Sequence, residues 1–99
     1  MKVYWTPLAE RHLDDIYGFI AESSPAFALR VVDRLTRRSQ QIGRFPESGR
    51  VVPELGRPAV REVFEGPYRV VYHIKELQID VIAVIHGARL LDERAVAEE

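Results

Sequence analysis

Arg61, Arg69 and Arg89, with His86 just ahead of the last, are the residues of this 99-residue chain whose type and placement could do chemistry. A guanidinium fork grips phosphate or carboxylate through two parallel hydrogen bonds. His86 stands where a strand ends, and the Gly87 that follows permits an abrupt turn, so an imidazole there can give or take a proton near neutral pH. Each of these residues also has a plain structural use. Arg61 can pair with Glu62 or Glu65 across a sheet edge, and a histidine at a strand end can cap it by hydrogen bonding. Trp5, Tyr17, Tyr68 and Tyr72 read as core rather than as stacking platforms.

Other chemistries are struck off. There is no Gly-x-x-x-x-Gly-Lys-Ser/Thr loop, and Gly43, Gly49 and Gly56 alternate with prolines rather than forming a dinucleotide fingerprint. His12, His73 and His86 lack ligand spacing and cysteine is absent, so neither metal nor cofactor is expected. Ser48-Gly49 follows no strand and is no nucleophile elbow. Without a signal-peptide pattern or an apolar run near the ~20 residues of a spanning helix, the expected location is the cytoplasm, away from any membrane.

The formal net charge of −1 conceals a segregation. Residues 1–25 hold two basic and four acidic side chains, residues 26–75 ten and five, and residues 76–99 two and six. Arg30, Arg34, Arg37 and Arg38, with Arg50 and Arg57 further on, form this basic centre. It suits an acidic protein segment or a nucleic acid, unless it is simply a solvated helix face.

The elements that must position these side chains follow from local signals. Lys2–Trp5 reads as a short strand. Thr6-Pro7 and Ser24-Pro25 each place a capping hydroxyl before a proline at the first helical position. Leu13, Ile16, Tyr17 and Ile20 share one face of the first helix, which should fail near Glu22-Ser23. Ala28, Val32, Leu35 and Ile42 keep the spacing of one face of the second, with Val31 beside them and Gly43 as a left-handed terminator. Pro46, Gly49, Pro53, Gly56 and Pro58 then enforce a loop, with Val51 and Val52 reaching the core. Val60–Phe64, Tyr68–Ile74 and Ile79–Ile85 read as an antiparallel meander. In its second strand Tyr68, Val70, Tyr72 and Ile74 point to the helices, and Arg69, Val71 and His73 to a more open face. The third strand is apolar on both sides and should be central or covered. The expected fold is α+β, a β-α-α-β-β-β order with a helical hairpin on one face of a mainly antiparallel four-stranded sheet. Residues 1–99 form a single domain in this reading, with 90–99 a mobile tail.

In that order and spacing the chain resembles the RelE/ParE family of bacterial toxins. The likeness rests on Trp5-Thr6-Pro7-x-Ala9-Glu10-x-x-Leu13-x-x-Ile16, on Phe45-Pro46-x-x-Gly49, and on Arg61-Glu62. It continues through Tyr68-Arg69-Val70-Val71-Tyr72 and Val84-Ile85-His86-Gly87-Ala88-Arg89. The resemblance implies a toxin held inactive in a hetero-oligomer by an antitoxin whose tail wraps it; from its charge, part of the basic surface of Arg30, Arg34, Arg37, Arg38, Arg50 and Arg57 is where that tail is expected to lie. Two activities follow from it. RelE-like members cut messenger RNA on the ribosome without metal, and Glu47, Arg61, Arg69 and His86 could form such a set. ParE-like members catalyse nothing and poison DNA gyrase, with Arg61, Arg69, His86 and Arg89 then available as target contacts. The slightly acidic total, the mere two lysines (Lys2 and Lys75), the lack of a second acid–base group beside Arg69, and the His-Gly-Ala-Arg ending all favour ParE.

Overall fold

The computed structural model describes residues 1–92 and 94–97. Its elements are β1 (Lys2–Trp5), α1 (Pro7–Ala21), α2 (Pro25–Arg44), a single 3-10 turn (Pro46–Ser48), β2 (Arg50–Val51), β3 (Val60–Glu65), β4 (Tyr68–Ile74), β5 (Gln78–His86) and α3 (Arg94–Ala97). The two long helices, α1 and α2, begin as their caps dictate. The Thr6 hydroxyl accepts the Ala9 N–H at 3.2 Å and the Ser24 hydroxyl accepts that of Phe27 at 3.1 Å.

Ala9, Leu13, Ile16 and Ile20 of α1 and Val31, Leu35 and Ile42 of α2 pack on Val63, Val70, Tyr72, Ile79, Val81 and Val84 of the sheet. Trp5 joins this core and donates its indole N–H to Ser39 at 3.3 Å. Tyr17 does not, and stands 36% exposed. The α1 stripe runs through 9, 13, 16 and 20, which leaves position 17 on its flank. Nor is Gly43 a left-handed terminator. It lies inside α2, which continues to Arg44, and a Cβ there would strike the Met1 carbonyl at 2.5 Å. Its missing side chain serves a close approach to β1 rather than a turn.

The sheet has five strands, in the order β1-β5-β4-β3-β2, with β1 parallel to β5 and the remaining pairs antiparallel. The strand beyond the four expected is β2, whose two residues pair with Arg61 and Glu62 and are too few to show any alternation. Gly66, at φ +56°, supplies the left-handed residue of the β3–β4 turn. As expected, β5 is central and buried on both faces.

The sheet face expected to be open is covered. Val52, Val60, Val71, Ile82, Ala83, Ile85 and Leu91 form a second core there, joined by Leu8, Leu55 and Val96. Both Ile82 and Ala83 reach it because β5 carries an extra residue: Val71 pairs with Ala83 and Tyr72 with Val81. The bulge turns Ala83 to the second core beside Ile82 and moves Val84 to the first. The β-strand edge near the bulge is closed from α1, where His12 Nδ1 accepts the Val84 N–H at 3.2 Å. Of the tail expected to be mobile, Leu91 is only 7% exposed and 94–97 are helical; residues 93, 98 and 99 lie outside the described residues.

Candidate functional site

Along β3 and β4 the pairing Phe64↔Arg69 sets Glu62 and Arg69 on the second-core face of the sheet. There Arg69, 4% exposed, is held from two sides. Its Nε donates to Glu62 at 2.6 Å, while its two terminal nitrogens clasp both oxygens of Glu54 at 2.7 and 2.9 Å. Arg50 completes the chain, donating to the other oxygen of Glu62 at 2.5 Å while its guanidinium lies 5.4 Å over the Phe64 ring. Hydrogen bonding from Arg69 holds the Glu54 carboxyl down at about 2, and the same bond, with that to Glu62, pushes Arg69 up. Two carboxylates thus satisfy a cation that would otherwise be expensive to bury.

Glu54 also fixes the chain beyond β5. Its Oε2 accepts the Leu91 N–H at 2.9 Å, and Arg69 donates to the Arg89 carbonyl at 3.0 Å. The Arg89 side chain and Leu90 project outward, Leu90 at 78% exposure. Between this segment and the start of α1 lies a cleft of about 250 Å³ lined by Leu8, His12, Ile85, Arg89, Leu91 and Arg94.

The other face carries a different set. Arg61 is opposite Tyr72, so it lies on the helix side of the sheet. Rather than pairing with Glu62 or Glu65, it donates to the carbonyls of Pro58 (3.0 Å) and Gly49 (3.1 Å). Tyr72 donates its hydroxyl to the Pro46 carbonyl at 2.6 Å and accepts the Gly49 N–H at 3.0 Å, and burial raises its pKa. A Cβ at Gly49 would collide with that hydroxyl and with the Glu62 carbonyl. Phe45-Pro46-x-x-Gly49 is therefore a loop shaped to close over Tyr72. Glu47 is exposed within it.

His86 is exposed, opposite Tyr68 and edge-on to its ring at 6.3 Å, and its Nδ1 accepts the Ala88 N–H. That is the strand-end capping that such a histidine can supply. Its face is that of Arg61, not of Arg69, and four residues of β4 and two strand spacings separate it from Arg61, roughly 16 Å of backbone. Glu47, Arg61, Arg69 and His86 do not meet at one point.

Of the basic centre, Arg30 lies 5.6 Å over Phe27, Arg37 pairs with Asp33 at 3.0 Å, and Arg38 reaches Gln41 and the Phe64 carbonyl. Arg34 borders a cleft with Phe27, Val31, Pro67 and Tyr68 between α2 and the β3–β4 turn. Arg50 and exposed Arg57 continue the positive surface past β3. Among the described residues no group of three His, Cys, Asp or Glu could hold a metal.

Residues 3–91 match the family model described as ParE toxin of the type II toxin–antitoxin system parDE. The chain belongs to the ParE toxin family. It is also 32% identical over 89 residues to Y4kP of Sinorhizobium fredii, across 87% of this chain and 88% of that protein. A chain of the chromosomal ParDE TA system from P. aeruginosa shares its fold, with a TM-score of 0.73 at 22% identity, covering 87% of this chain and 95% of that one. Within this ParE toxin, sequence reasoning had singled out Arg69 but missed both its partners. Glu62 was legible, being two residues from Phe64 on the face that Arg69 shares across a tight turn. Glu54 was not, since nothing in a proline- and glycine-broken loop signals its distance from β4.

Proposed function

We propose that this ParE toxin acts by binding and inhibiting DNA gyrase in the cytoplasm, and that a cognate antitoxin neutralises it in a hetero-oligomer. The observation that carries the reading is the dispersal of the acid–base and cationic groups. Metal-independent RNA cleavage needs a cation on the scissile phosphate and a proton carrier within reach of it. Arg69 is spent on two carboxylates, and His86 projects from the opposite face. Exposed Arg89, just past the last strand, is available for contact with a protein target, and this reading requires no catalytic residue.

The antitoxin surface in this reading is the exposed side of α2 with the cleft it forms beside Phe27 and Tyr68. Acidic side chains would be steered by Arg30, Arg34, Arg37 and Arg38, and by Arg50 and Arg57 beyond them, while apolar anchors fill the cleft. Expression without antitoxin tests the activity in cells. Growth should arrest with DNA damage signalling while translation continues, His86→Ala should remain toxic, and Arg89→Ala should lose toxicity. Loss of toxicity in His86→Ala, with cut messenger RNA in the parent, would favour the RelE-like nuclease instead.

A further inference from the structure

We propose that Glu54 and Arg69 form a latch that positions the segment after β5, so that Arg89 and Leu90 are presented to the target on a fixed backbone. The inference rests on the reading above that this segment carries toxicity, and it assigns a positioning role to a residue outside the segment.

Two groups of the latch grip the chain on either side of Leu90. Arg69 donates to the carbonyl of Arg89 at 3.0 Å, and Glu54 accepts the N–H of Leu91 at 2.9 Å. The Glu54 oxygen that takes this N–H also takes the Arg69 hydrogen bond, so the two grips are one unit. Upstream, Gly87 donates to the Pro67 carbonyl at 2.7 Å and Arg89 to that of His86 at 3.0 Å. Downstream, the Leu91 side chain is sealed into the second core. Arg89 and Leu90 are exposed between these anchors, one cation beside one large apolar group. Such a pair on a backbone already ordered binds without first losing chain entropy.

Glu54 is itself delivered by a turn. The Val52 carbonyl accepts the N–H groups of Leu55 and Gly56, and Gly56 takes the left-handed φ of +61° that closes it. This loop and the tail are far apart in sequence, and Glu54 joins them. Its side chain is 20% exposed, and without it Arg69 keeps Glu62, so Glu54→Ala is the variant that opens the latch while the sheet stays paired.

The experiment is amide hydrogen exchange on the full-length protein, with toxicity measured on the same variants at equal expression. In Glu54→Ala the Leu91 amide should exchange about 10- to 100-fold faster, the range expected for losing a charge-assisted hydrogen bond, with β4 and β5 amides unchanged. Glu54→Gln, which keeps an acceptor for that amide, should show a smaller increase. Toxicity should fall in the same order. Unchanged Leu91 exchange in Glu54→Ala overturns the latch. So does faster exchange with full toxicity, provided Arg89→Ala with Leu90→Ala is harmless. If that double variant stays toxic, the placement of toxicity in this segment fails instead, and the exchange result alone then decides whether the latch exists.

Discussion

Replacing Glu54 with Gln removes one charge from the Arg69 cluster and should change stability in a manner that depends on pH. The carboxyl has its pKa held at about 2, against an ordinary value of 4.5, first by hydrogen bonding from Arg69 and also by the Leu91 amide. Because the folded value is the lower one, folding favours the ionised form. The stabilisation is complete above about 4.5 and disappears as the pH falls toward 2. At about 1.4 kcal/mol per pH unit of pKa difference, that interval corresponds to about 3 kcal/mol. Urea unfolding of parent and variant should therefore give midpoints about 1–3 M apart at pH 7, closing toward coincidence near pH 2. Other carboxylates also titrate in this range, Asp80 among them, whose pKa hydrogen bonds from Lys75 and Gln78 lower despite its burial. Carboxylates that do not touch Arg69 contribute equally to both proteins and cancel in the difference. A gap that is constant from pH 7 to pH 2, or absent throughout, would refute the assignment of Glu54 as the anionic partner of Arg69.

Three further outcomes are expected. Leu35→Ala empties a fully buried site between α2 and the sheet and should cost about 2–5 kcal/mol in thermal or urea unfolding; an unshifted melt would contradict the placement of Leu35 in this core. Tyr72→Phe leaves the Gly49 N–H without its acceptor and the Pro46 carbonyl without its donor, so it should destabilise by about 1–3 kcal/mol, and a neutral result would refute the role given to the loop closure. The complex with antitoxin should persist in about 0.5 M salt on size exclusion, because screening weakens only its charged part, and dissociation there would remove the apolar half of the proposed interface.

What could be read in advance was whatever is written locally. Thr6-Pro7 and Ser24-Pro25 mark helix starts with neighbouring residues alone, and the alternation from Tyr68 to Ile74 divides β4 between two faces without reference to anything distant. The bulge in β5 escaped because Ile79–Ile85 is apolar at nearly every position, so a one-residue slip leaves no trace in the pattern. The second core escaped for a related reason. Val52, Leu55 and Leu91 come from segments with no period, and their burial is decided by where a loop and a tail fall on the sheet. With that face read as open, Arg69 looked like an available cation. Its burial beside Glu54 and Glu62 is a tertiary fact, set by three elements meeting. Arg61 and His86 were grouped with it because all three lie in or beside the sheet, but pairing with Tyr72 and Tyr68 puts them on the other side.

The central claim, that this ParE toxin works by contact with gyrase and not by cutting RNA, is tested most directly with purified protein in a gyrase supercoiling reaction run beside a coupled translation reaction. Supercoiling should be inhibited with cleaved DNA accumulating, translation should be unaffected, and His86→Ala should behave as the parent while Arg89→Ala does not. Unimpaired supercoiling together with ribosome-dependent cuts in messenger RNA, abolished by His86→Ala, would contradict it.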